Sequence, residues 1–261
     1  MCGIFGFALK KPRPLADALK VLEKLEVHQY PYEPRPVGGY GAGLAFLQSD
    51  GGIALEKIGK PGEVSPARLL ASIVKTGETR VLVAHVRMPS PEFMDNARFK
   101  ETAQPYFVQR NKKWKIVSIH NGKVENYQEL RKSLRETRVL ESEKVELIDS
   151  EVIPHLFDEL LSEKGEVNEA LNALFCAIHG SGAICILLMR GEDAYLHFIH
   201  KGKTRGLTIW VNDQNEVVFC SRKEPLVEEF SGILEDGRFR ERISIQYQED
   251  VGLRLSFPVS T

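Results

Sequence analysis

Eight consecutive residues, "GAICILLM" at 182–189, carry no polar side chain. A half-buried strand alternates apolar and polar positions, so a strand-length run without alternation is buried on both faces. Further strand-like runs follow in quick succession: "AYLHFIHK", "LTIWVN", "EVVFCSR" and "RISIQYQ". Earlier strands read at "GIFGFAL", "RVLVAHVRM" and "KWKIVSIHNG", with a hairpin "AGLAFLQSDGGIALEKIG" turning at Ser49-Asp50-Gly51-Gly52. Helical spacing marks "LADALKVLEKLEV", "SPARLLASIVKTG" with Ser65 as N-cap, "NYQELRKSLRE", "DSEVIPHLFDELLSEKG" with Asp149 as N-cap, and "VNEALNALFCAIHG" closed by Gly180. Strands outnumber helices and most are joined by tight turns. The pattern predicts an α+β fold in which two packed antiparallel sheets lie inside outer helices.

The chain has 261 residues and no internal repeat or linker, and reads as one domain over 1–261. Its net charge of -1 and the lack of a basic, aromatic-studded stripe argue against a nucleic-acid partner. No apolar run reaches the ~20 residues that span a bilayer, so no membrane association is expected. The start is not a signal peptide, because its basic residues follow a very short apolar stretch. Cys2, Cys176, Cys185 and Cys220 form no CxxC pair or Cys/His metal spacing, which predicts reduced thiols and a cytoplasmic protein. No metal or other cofactor is expected: there is no HExxH, and His197 and His200 fall on opposite faces of a strand. The glycine run "GGYGAG" leads into a strand instead of following one, so it is not a phosphate loop.

The chemistry centres on "MCGIFGF". Methionine before a small residue is normally trimmed, which would give Cys2 a free α-amine. An α-amine titrates near 7.7–8.0 and a thiol near about 8.5, so the two exchange a proton close to neutral pH. One residue then supplies nucleophile and general base. Alone, Met-Cys reads as a small apolar thiol near a chain start. "HVR" at 85–87 ends a strand with Arg87, suited either to binding a substrate carboxylate or to a surface strand end. "HNG" at 120–122 ends another strand, where Asn121 and the Gly122 N–H would make an oxyanion hole or an ordinary Asn-Gly turn. Asp149 either binds an ammonium group or simply caps its helix.

Taken in order and spacing, "MCGIFGF", "HVR", "QPYF", "SIHNGKVENYQELR" and "DSEV" resemble the class II glutamine amidotransferase domain over nearly the whole chain. The resemblance implies an N-terminal nucleophile fold, a four-layer αββα sandwich. It implies that Cys2 attacks the γ-amide of glutamine with its own α-amine shuttling the proton. Asn121 and Gly122 would hold the oxyanion, Arg87 the substrate α-carboxylate and Asp149 its α-ammonium.

The chain departs from the family pattern in three places. "HQYPYEPRPVGGYGAG" is a longer loop after the first helix, with Arg35 off the expected spacing; Met88-Pro89-Ser90-Pro91 follows the substrate arginine where an aromatic is common; and Thr102 stands where asparagine is common. Family members are commonly fused to a synthase domain, and this chain ends where the glutaminase domain is complete. The leading expectation is a stand-alone glutaminase subunit that passes ammonia to a separate synthase, with homo-oligomerisation left open. The alternatives are an amidohydrolase of γ-glutamyl amides of small molecules and, if Met1 is retained, a non-catalytic ligand-binding regulatory subunit.

Overall fold

In β1 (Gly3–Pro14) successive side chains go to different cores: Ile4 and Ala8 to one, Phe5, Phe7 and Leu9 to another. The strand is apolar on both faces because both faces are covered. It lies between β4 (Glu78–Val86) and β10 (Val217–Cys220), antiparallel to each. With β2 (Gly41–Leu47), β3 (Ile53–Gly59), β9 (Leu207–Val211) and β11 (Arg240–Ile245) these form a seven-stranded sheet, ordered β11-β9-β10-β1-β4-β2-β3. The second sheet is ordered β12-β8-β7-β6-β5, from β5 (Tyr106–Val108), β6 (Lys115–Val124), β7 (Gly180–Arg190), β8 (Asp193–Lys201) and β12 (Leu253–Val259). This is a computed structural model, and it describes residues 2–60, 62–74, 76–109, 113–191, 193–203 and 206–259.

Three apolar clusters separate four layers. Helices α1 (Leu15–Val27), α2 (Pro66–Ile73) and α6 (Lys223–Asp236) pack on the outer face of the first sheet, where Leu22, Leu70 and Phe230 meet Phe5 and Phe7. Ile4, Val83, Ile119, Cys185 and Phe219 fill the space between the sheets. Helices α3 (Tyr127–Ser133), α4 (Val152–Lys164) and α5 (Val167–Ala177) cover the second sheet, with Phe157 and Leu174 against Ile184 and Ile186. The run that opened the sequence analysis divides the same way: Ala183, Cys185, Leu187 and Met189 face the other sheet, and Ile184, Ile186 and Leu188 face the helices. The expected αββα sandwich is the fold. Among the described residues no helix is long and apolar enough to cross a membrane.

Four local expectations need correction. Asp149 does not cap α4; it opens a 3-10 turn, Asp149–Glu151, and its carboxylate accepts from the Val124 N–H at 2.8 Å. Gly180 does not close α5, which ends at Ala177, but begins β7. Asn121-Gly122 is neither a turn nor a strand end: β6 continues to Val124, with Asn121 opposite Ala183 and Gly122 opposite Gly182. Finally, α6 was not expected, and β5 and β12 were not assigned as strands.

Candidate active site

Two strand ends bring the first residues together. Gly3 pairs with Val86, so Cys2 and Arg87 lie side by side beyond the last pair of β1 and β4. The start of β1 is held firmly, since the Ile4 N–H donates to Ser221 Oγ at 3.1 Å and the Ser221 N–H to Ile4 O at 2.9 Å. Cys2 is half-buried, its thiol donating to Met88 O at 3.4 Å while the Met88 N–H approaches Sγ at 3.5 Å.

Arg87 is buried, and burial holds its guanidinium below the ordinary arginine range. Its Nη1 donates to Thr102 Oγ1, which lies 2.8 Å from Phe99 O and 2.9 Å from Asn96 O. Among the described residues no carboxylate pairs with Arg87, although Asp149 is near enough to favour its charge. An unpaired buried guanidinium has remaining donors for an incoming carboxylate.

The other sheet supplies Asn121 and Gly122. Asn121 is 1% exposed, yet neither its Oδ1 nor its Nδ2 has a partner. Such groups cost about 1–3 kcal/mol when left unsatisfied, so a pair of them marks a place prepared for something else. Backbone direction explains the neighbouring glycine. The N–H groups of His120 and Val124 turn away from β7, to Gln104 Oε1 at 2.6 Å and Asp149 Oδ2 at 2.8 Å. Alternation along an antiparallel strand turns the Gly122 N–H the same way, and among the described residues nothing accepts it. Only glycine fits there, since a Cβ on Gly122 would lie 2.2 Å from Ser181 O and 2.7 Å from His120 Nε2.

Asp149 faces this edge from the helix layer. One oxygen takes the Val124 N–H, and the other receives the Ser150 hydroxyl at 3.3 Å, which leaves lone pairs on both. Ser150 Oγ also lies 2.9 Å from His120 Nδ1. Burial lowers the pKa of His120, against the opposing pull of Asp149, so the ring is neutral at pH 7.

All five predicted residues, Cys2, Arg87, Asn121, Gly122 and Asp149, line one cavity of about 290 Å³. Its wall also includes Thr102, Gln104, His120 and Ser150, to which sequence reasoning gave no role, and Arg35 from the loop after α1. That loop is anchored by an ion pair between buried Glu33 and buried Arg222, with the Arg222 guanidinium 4.4 Å from the Tyr30 ring centre. At the mouth, Lys123 and Glu92 pair at 2.9 Å between β6 and the segment that follows Arg87. The described residues contain no group of three or more His, Cys, Asp or Glu placed to hold a metal ion. His197 and His200 instead lie 2.8 Å from Ser256 Oγ and from Val251 O.

Residues 94–228, half of the chain, match the model of the glutamine amidotransferase domain. The chain belongs to the glutamine amidotransferase domain family. It is of class II, the N-terminal nucleophile type, an enzyme class that acts on the side-chain amide of glutamine. Among relatives of this amidotransferase domain, the isomerizing glutamine–fructose-6-phosphate aminotransferase of Thermosynechococcus vestitus is 31% identical over 193 residues, covering 72% of this chain and 26% of that one. The enzyme of the same name from Aeropyrum pernix is 27% identical, covering 92% and 35%. In fold the domain is similar to glutamine phosphoribosylpyrophosphate amidotransferase of B. subtilis complexed with ADP and GMP. That likeness has a TM-score of 0.63 and 15% identity, over 97% of this chain and 49% of that one. The chain thus spans about a quarter to a third of the length of the curated relatives it matches.

Proposed function

We propose that this chain is a single glutaminase domain over 1–261 that hydrolyses glutamine to glutamate and ammonia through a thioester at Cys2. The observation that carries the reading is the buried, doubly unpartnered Asn121 amide beside the unengaged Gly122 N–H, across the cavity from Cys2. Arg87 holds the glutamine α-carboxylate and Asp149 the α-ammonium, which fixes the γ-amide near the thiol. The sulfur attacks the carbonyl carbon of the γ-amide, forming a C–S bond as the C=O π electrons move to oxygen, and the thiol proton passes to the Cys2 α-amine. Asn121 Nδ2 and the Gly122 N–H receive the charge that develops on oxygen. Collapse breaks the C–N bond, and the nitrogen takes the proton and leaves as ammonia. Water, giving a proton to the same amine, then attacks the thioester and releases glutamate and the thiol.

This mechanism needs a free α-amine on Cys2, and Met1 lies outside the described residues. Intact-mass measurement of the native protein is expected to show Met1 removed. Retained Met1 together with no glutamate formed from glutamine would leave a ligand-binding regulatory subunit. In this proposal the ammonia goes to a synthase, which we place on a separate chain, in the cytoplasm. Release of glutamate and ammonia from glutamine by the parent, and by no Cys2→Ser variant, tests the core of the proposal.

A second reading, hydrolysis of γ-glutamyl amides of small molecules, is favoured by one feature. Arg35 lines the cavity although the glutamine groups above do not engage it. A preference for a substituted γ-glutamyl amide over glutamine of tenfold or more, roughly the span of one good contact, would select that reading.

A further inference from the structure

The parts proposed to react come from different sheets. Cys2 and Arg87 directly adjoin strand ends of the seven-stranded sheet, and Asn121 and Gly122 lie in the five-stranded one. The apolar contact between the sheets is non-directional, and by itself it fixes no distance to the tolerance that catalysis requires. At the end of the sheets where the site lies, the Gln104 side chain crosses the gap with directional bonds. Gln104 Oε1 accepts the His120 N–H at 2.6 Å, and its Nε2 donates to His120 O at 3.0 Å, so the amide pairs with β6 as a neighbouring strand would. The same Nε2 lies 3.2 Å from His85 Nε2 on β4. His85 is wholly buried and its pKa is pushed down to about 3, chiefly by that burial, so the ring is neutral and its nitrogen can accept.

Both ends of the link stand next to the chemistry. His85 pairs with Ile4 across the ladder and precedes Arg87 by two residues, while His120 precedes Asn121 and Gly122 directly. Gln104 is 5% exposed and is seated by close backbone contact, since a Cβ on Gly43 would come within 2.2 Å of Gln104 O. We infer that Gln104 is a positioning residue that sets the distance between the Cys2 nucleophile and the Asn121–Gly122 oxyanion donors by tying β4 to β6. It touches no reacting atom. The inference rests on the reading of those residues given under Proposed function.

The test compares the parent with Gln104→Met, which keeps the length and removes the bonds, and Gln104→Glu, which keeps the shape and the acceptor for the His120 N–H. Three quantities are measured: kcat and KM for glutamine, the affinity for glutamate, and the affinity for the aldehyde analogue of glutamine. The aldehyde adds the Cys2 thiol to form a tetrahedral adduct whose oxygen needs the oxyanion donors; glutamate does not. In Gln104→Met, kcat should fall by about 10²-fold, the scale of a small misplacement, and aldehyde affinity by a similar factor. KM and glutamate affinity should stay within about twofold, and Gln104→Glu should be intermediate. If both variants keep the parent's kcat, or lose glutamate affinity as much as kcat, the positioning role is overturned. Failure of both to fold overturns it equally, because the residue is then a support of the whole domain. A parent inactive on glutamine overturns the reading of the site itself and this inference with it, a failure visible before any variant is made.

Discussion

Arg87 is aimed by a hydroxyl. Thr102 takes one of its donors and is itself fixed between two carbonyls, so the rest of the guanidinium stays turned to the cavity. Thr102→Val removes the acceptor and adds no bulk. The expected outcome is a KM for glutamine raised about tenfold, the worth of one charged hydrogen bond, with kcat nearly unchanged and Thr102→Ser close to the parent. Asn121→Ala is expected to act the other way, lowering kcat by about 10²–10³-fold as oxyanion donors do, with little effect on KM. Steady-state kinetics on glutamine check both, and an Asn121→Ala variant as active as the parent would refute the oxyanion assignment. Residue type alone left Asn121 and Arg87 open to a turn and a strand-end reading, and the ordered resemblance to the family gave them their roles. It gave no role to Gln104 or Ser150, although both lie in the motifs "QPYF" and "DSEV", because their partners are a backbone 16 residues away and a histidine 30 residues away, contacts that no local pattern encodes.

Elements whose burial follows one period were legible. Helix α1 has the bounds its apolar spacing predicts, and α2 starts where Ser65 accepts the Arg68 N–H at 3.1 Å. Helix α6 carries Leu226, Val227, Phe230, Ile233 and Leu234 at helical spacing, but Pro225 and the Ser231-Gly232 pair obscure it between strands. Asn121-Gly122 was misplaced for a different reason. Its local preference for a turn is overridden by pairing with β7 and by the two side chains that cap the outer edge of β6 on either side. The loop after α1 was read as irregular, and it is; what fixes it is the Glu33–Arg222 pair, 189 residues apart in sequence. Arg222→Met would leave the Glu33 carboxylate buried without its partner. Denaturant unfolding should show a loss of about 3–5 kcal/mol, most of it regained when Glu33 is also replaced by an apolar residue.

At the scale of the whole molecule, buried histidines set the response to acid. Burial holds His85 at about 3 and His197 at about 4, against about 6.5 in an unfolded chain. Between those limits the unfolded chain binds more protons than the folded one, so stability rises with pH through the window and is lost on acidification. Going from pH 7 to pH 5 should cost about 2 kcal/mol for each ring. Thermal melts at the two values are expected to show a lower Tm at pH 5, and His197→Gln should flatten the slope. The fold class was legible at this scale because doubly buried strands admit few arrangements. The facing of the two sheets at one end was not, since it depends on long-range registers.

One of those registers also bears on the order in which the site is assembled. Ile4 and Ser221, bonded at the head of β1, are 217 residues apart, and Phe5 sits opposite Cys220. Strand β1 is therefore a central strand whose β10 edge stays unpaired until residues 217–220 have been made. Until β10 and Ser221 are in place, Cys2 lies next to a strand that lacks one neighbour and lacks the Ser221 bonds at its head.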